Sequence, residues 1–431
     1  MSLSSWRQFP FFDCLPIRDP YYGSSDALYS DPTISGICAS PTHLIIATKQ
    51  STVKLITPKY KLAYQFVAYE TGWTITKLKY IDIGNGKGFL CTIAERQGQP
   101  LSLKLWDLEK LMSSKTVDFN SDYHTLCQVT NGNNNYPLTC FAGSDDFSIL
   151  AFGFANGSVI LVRGDLLHDR GSRQRVVYES QEPITDVQLR SESMLFVSTV
   201  SRIFTIPTTG RNQGYPDKLL EEKLGADINC VDVLQDAKKN LVVARDESIQ
   251  FYNSKGKSHN LMLDIPKKRL HAYKSKYILL VSSVDSNLTS TATISTNKLI
   301  IVDIVNKFIS FNQTISNSAI EIFELWDKLY VLTVDGMLYR LTEKSVKEKV
   351  DLVVQRELFP IAIKLAEASL TENASNESTQ SKDENGNIIT EEDIMMIEKQ
   401  YGDYLYNKNE IEEAIQQYIK FEPRYQDSGL Y

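Results

Sequence analysis

No stretch of this sequence stays apolar long enough to span a bilayer, and MSLSSWRQFPFFDC at the start offers no apolar signal core. Contact with membranes is therefore expected to be peripheral and made through partners. Cysteine is sparse. Cys14, Cys38, Cys91, Cys127, Cys140 and Cys230 stand far apart and form no CxxC pair, so they read as reduced, mostly buried thiols of a cytosolic protein. Histidine is scarcer still: His43, His124, His168, His259 and His271 show no metal-ligand spacing. A ring of strands could still bring separated ligands to one mouth, which would be the mark of a propeller hydrolase or lyase. There is no phosphate loop, nucleophile elbow, H-E-x-x-H or G-x-G-x-x-G. Gly84-Asn85-Gly86-Lys87-Gly88 lies between two strand-like runs with no helix to follow, so it reads as a hairpin loop. These observations point away from an enzyme, and no cofactor is expected.

Excess charge is also missing from most of the chain. The net charge is −7, and residues 371–393 account for −6 of it, with seven acids against Lys382. A nearly neutral remainder argues against a dominant nucleic-acid or anionic-membrane footprint and leaves room only for local patches.

What the sequence does hold is turns and short apolar runs. Through about residue 354, alternating or continuous apolar segments are separated by Gly, Asn, Asp and Ser. HLIIAT with VKLIT, FSILAFGF with SVILVRG around Asn156-Gly157, and KLYVLTV with MLYRL around Asp335-Gly336 read as hairpins. The runs group into units beginning near Ile34, Ile75, Leu138, Ile184, Ile228, Leu270 and Ile320. That spacing matches four-stranded blades, which bury both faces only when stacked in a ring. The expectation is an all-β seven-bladed β-propeller, WD40-like, over residues 1–354, with segment 1–12, through Trp6–Phe12 (WRQFPFF), closing the ring. Trp106-Asp107 and Trp326-Asp327 are faint marks of such repeats.

From Asp351 the period becomes helical, with Pro360 at a first turn or between two short helices. An α-solenoid is expected to start in 355–431. It is interrupted by a polar, acidic and mobile loop at 371–390 and resumes behind the N-cap Thr390 with Asp393 three residues on.

One charged stretch is GDLLHDRGSRQR. Arg163, Arg170, Arg173 and Arg175 surround Asp165 and Asp169, a pattern able to grip an acidic partner or lipid headgroup through guanidinium forks. Internal Arg–Asp pairing in a solvated loop is the plainer reading. Residues 266–276, PKKRLHAYKSK, form a second basic stretch.

Five segments carry a family resemblance: SLSSWRQF…IRDP, ANGSVILVRGDLLHDRGSRQR, TTGRNQGYP, QRELFPIAIKLA and KQYGDYLYNKNEIEEAIQQYI. In this order they resemble the class C vacuolar protein sorting family. The resemblance implies a core subunit shared by the HOPS and CORVET tethering complexes, bound to other class C subunits and through them to Rab GTPases and SNAREs. Such subunits work at the cytoplasmic face of late endosomes and the vacuole or lysosome. It implies a propeller, a long solenoid and a zinc-binding C-terminal RING linked to ubiquitin ligase activity, whose cysteines these residues lack. Arg163, Asp165, Arg170, Arg173 and Arg175 are the expected protein contacts. A polymerising coat subunit of the same plan is the competing reading.

Overall fold

The structure is a computed structural model that describes residues 3–84, 87–210, 214–284, 296–375 and 389–427. Seven antiparallel sheets of four strands each form seven blades. Their innermost strands are Ile34–Ala39, Thr74–Gly84, Leu138–Gly143, Ile184–Ser191, Val231–Val233, Arg269–Tyr273 and Ala319–Leu325. The sequence units begin within three residues of these strands. The largest offset is at the fifth blade, where Ile228 is an exposed loop residue ahead of Val231.

The ring follows from what each strand buries. The two middle strands of a blade have a neighbouring blade on either side, so they are apolar throughout: Leu44–Thr48 and Ile149–Phe154 are buried at every position. Outermost strands have a wet face and alternate, as in Thr125–Val129. The core therefore lies between blades. Leu103, Leu105 and Cys127 of blade 2 pack on Phe152 and Ile160 of blade 3. Phe323, Tyr330 and Leu332 of blade 7 pack on Leu44, Ile46 and Ile56 of blade 1, which shuts the circle. At about 1.5–3 kcal/mol for each buried Leu, Ile or Phe, these seams hold the blades together.

Closure differs from the expected segment. The outermost strand of blade 7 is Phe12–Arg18, paired with Met337–Glu343, and not WRQFPFF. Pro16 falls in that strand, where an edge tolerates a residue with no N–H to donate. Trp6 instead donates its indole N–H to the Met262 carbonyl at 3.1 Å, and Arg7 accepts from the Ile309 amide at 2.8 Å.

The second compact unit joins residues 9–13 to 342–431. Helix α1 (Leu108–Ser113) belongs to the propeller; α2 (Val346–Val354), α3 (Phe359–Ser375), α4 (Glu391–Asn407) and α5 (Ile411–Asp427) belong to this unit. The strand reading to about 354 thus overran. Strands end at Glu343, and Ser345 caps α2 in a box with Glu348, a signal hidden by the valines of VKEKVDLVV. Pro360 sits in the first turn of α3, where its missing N–H costs nothing. Of the loop expected at 371–390, the first residues are helical, since α3 continues to Ser375; residues 376–388 lie outside the described residues, and Ile389 is buried ahead of the Thr390 cap. The α4–α5 hairpin closes tightly at Gly402, since a Cβ there would meet the Tyr418 ring at 2.7 Å.

Candidate functional site: the arginine loop and the channel

The loop at 165–171 connects the third and fourth strands of blade 3. Leu166 anchors it by burial, and its carbonyl accepts from the Thr125 hydroxyl of blade 2 at 2.7 Å. The Leu167 carbonyl meets Nε2 of His124 at 2.8 Å. Asp165 accepts from the His168 ring at 2.7 Å and pairs with Arg170 at 3.4 Å. Arg163 donates to the Thr208 and Glu192 carbonyls of blade 4 at 3.2 and 3.1 Å, and Arg175 donates to those of Gly210 and Thr208. The five residues therefore do not converge. Arg163 and Arg175 stitch blade 3 to blade 4, Asp165 folds its own turn, and only Arg170 and Arg173 present exposed side chains without such a carbonyl cradle.

The central channel holds the constellation that reading along the chain missed. Around a cavity of about 200 Å³, innermost strands bring together Lys77, Asp186, Asp232, Arg269, His271 and Glu321. Nδ1 of His271 lies 3.4 Å from Asp232 on blade 5, and its Nε2 lies 3.2 Å from Glu324 on blade 7. Burial alone would lower the imidazole pKa, but hydrogen bonds and charge from Asp232 and Glu324 override it and push the pKa up to about 10. Both ring nitrogens thus carry protons and face carboxylates, leaving no lone pair for a metal or for base catalysis. Asp232 is further committed, accepting the amides of Ala272 at 2.9 Å and Val233 at 2.8 Å. No metal-binding group of three acidic, histidine or cysteine side chains occurs among the described residues. Asp186 is pushed up to about 7 by burial, with the Asp232 charge adding to it and Gln188 and Lys77 opposing. The arrangement is an ionic clasp across blades. The available signal was the pattern itself: titratable residues on first strands of units must face the hole.

A second hollow of about 310 Å³ lies between blades 2 and 3, lined by Arg96, Gln99, Asn131, Tyr136 and Phe154. Its wall is fixed by Glu95, which accepts from the Leu138 amide at 2.6 Å and whose pKa burial raises.

Two lysines act as bolts. Lys267 donates to the carbonyls of Arg245, Asp246, Leu263 and Ile265 at 2.6–3.0 Å, and burial lowers its pKa to about 8. Lys104 reaches the Ala68 and Phe119 carbonyls with its ammonium 4.5 Å from the Tyr69 ring, and burial lowers it likewise to about 8.

Comparison with known proteins bears on residues 6–343, which match the family model described as PEP5/VPS11 N-terminal. The human vacuolar protein sorting-associated protein 11 homolog is 26% identical over 445 residues, covering 97% of this chain and 44% of that protein. The homolog of the same name from Dictyostelium discoideum is 23% identical, covering 98% of this chain and 45% of its own length. A Pep5-like zinc finger protein of Schizosaccharomyces pombe is 29% identical over 47% of this chain and 23% of its own. The chain spans less than half the length of these relatives.

Proposed function

The chain belongs to the PEP5/VPS11 family through its N-terminal region, and from that premise we propose that it is the propeller and first helices of a membrane-tethering subunit. In this reading it is a non-enzymatic scaffold of the HOPS and CORVET complexes that serves vesicle docking and fusion at the late endosome and vacuole or lysosome. Its direct partners are other class C vacuolar protein sorting subunits. Rab GTPases and SNAREs are reached through them, and the protein is peripheral on the cytoplasmic face. The RING and any ligase activity belong to chain beyond these residues.

The observation that carries the proposal is the family match running through all seven blades. The physics agrees with it. A closed ring welded by apolar seams keeps its shape under load, and helical hairpins gain stability by stacking on further hairpins to give reach. Affinity capture with the longer parent protein is the test, followed by mass determination. A defined heteromeric complex containing class C subunits is expected. Recovery of polymerising coat components would replace the proposal with a coat function.

A further inference from the structure

Successive strands of a blade run antiparallel, so the first-to-second and third-to-fourth connections emerge on one face of the ring. The second-to-third and blade-to-blade connections emerge on the other. Sorted this way, blades 5–7 are polarised. On the first face Lys238, Lys239, Lys255, Lys257 and Lys307 are exposed, with Lys276 half-buried behind them. Lys274 pairs with Asp327 at 3.9 Å. Of the other acids there, Asp236 accepts the Lys238 and Lys239 amides at 3.1 and 2.7 Å, Asp303 is buried, and at the strand ends of blade 7 Asp13 and Glu343 pair with Lys344 and Lys349. On the opposite face of the same blades Glu222, Asp227, Asp246, Glu247, Asp264 and Asp335 are exposed, against exposed Lys223 and Lys268.

The chain's neutrality outside the acidic segment therefore hides a separation of charge across the disc. The basic face also carries an apolar tip. In the turn Asp303–Lys307 the Asp303 carboxylate accepts the amides of Val305 at 3.0 Å and Asn306 at 2.7 Å, and Val305 is left 60% exposed two residues from Lys307.

We propose that this face of blades 5–7 docks directly on an anionic lipid bilayer, with the lysines over the headgroups and Val305 at the interface. Three features favour lipid over an acidic polypeptide. The exposed cations are all lysines, point charges suited to a diffuse anionic plane and not the planar forks that hold a carboxylate in fixed register. They spread over neighbouring blades and line none of the cavities described among these residues. An uncovered aliphatic side chain among them fits the headgroup boundary.

The experiment is vesicle co-sedimentation of the 431-residue chain, with phosphatidylcholine alone and with phosphatidylcholine plus phosphatidylserine. Binding is expected only with the anionic vesicles and should weaken steeply with salt. Each lysine near such a surface is worth about fivefold in partitioning, so the variant K239E/K255E/K257E/K307E should lose about 100-fold or more. Val305→Ser, which removes the apolar tip without adding charge, should weaken binding while leaving its salt dependence in place. An unchanged melting transition shows that the variants fold. No binding to anionic vesicles, or binding that survives the lysine reversals, overturns the proposal. Lysine-dependent binding to polyglutamate without vesicle binding assigns the face to an acidic polypeptide and also overturns it. The outcome is independent of the tethering proposal: failure to recover class C subunits leaves vesicle binding untouched, and the reverse holds.

Discussion

Nε2 of His271 on blade 6 lies 3.2 Å from Oε1 of Glu324 on blade 7, although 53 residues separate them in the chain. With Asp232 on the ring's other nitrogen, the imidazolium joins three blades at the channel wall. A folded-state pKa of about 10, against 6.5 for the free group, makes this a pH-dependent clasp. Its contribution is complete below about pH 6.5 and fades as pH rises toward 10. His271→Leu should therefore cost about 2–3 kcal/mol at pH 6. In thermal melts the gap between the two proteins should close by pH 10. An equal gap at both pH values would count against the clasp.

Asp186 works in the opposite sense. Its folded pKa of about 7 lies above the ordinary 3.8, so burial of the ionised form penalises the native state. The penalty is absent below pH 3.8, grows through the interval and is complete above about 7. Asp186→Asn should melt higher than the parent at pH 8 and together with it at pH 4. Calorimetry at the two pH values decides.

Lys267 offers a sharper loss. Replacing it with Met leaves four carbonyls without their shared donor and should destabilise the propeller by about 2–4 kcal/mol. Lys268→Met, at an exposed neighbour, should stay within about 0.5 kcal/mol of the parent. Denaturant unfolding of the pair measures the difference.

Two glycines separate backbone strain from collision. Gly157 has φ of +81°, and a Cβ there would come within 2.4 Å of the Ser180 carbonyl. Gly171 has φ of +83° with nothing within 4 Å. Gly171→Ala should cost about 1 kcal/mol, the conformational penalty alone. Gly157→Ala should exceed that by about 1–3 kcal/mol because backbone must move. Equal losses would show that the turn at Asn156-Gly157 yields freely.

The blades were legible because strand chemistry is local: apolar runs and turn residues such as Asn156-Gly157 and Asp335-Gly336 mark each hairpin without reference to the rest of the chain. Seven first strands follow from that rhythm. The closing strand was not legible, because Phe12–Arg18 carries a proline and its partner lies beyond residue 336. Helix α2 was missed because valines at a helical period look like strand until Ser345 and Glu348 are weighed as a cap. The channel clasp was hidden for a different reason. Asp232, His271 and Glu324 lie on three separate units, and only the curvature of the ring makes them neighbours. The arginine loop shows the converse. Adjacency in sequence suggests one surface, but Arg163 and Arg175 are turned into carbonyls of the next blade.

The seventh blade sets an order on biosynthesis. Among the propeller's strands its outer one is synthesised before all others and its remaining three after all others, with six blades made in between. Until Met337–Glu343 emerges, Phe12–Arg18 has an unmatched edge that chaperones can recognise. Circularity thus makes sealing all-or-none: a product halted before its final blade keeps its first strand unpaired.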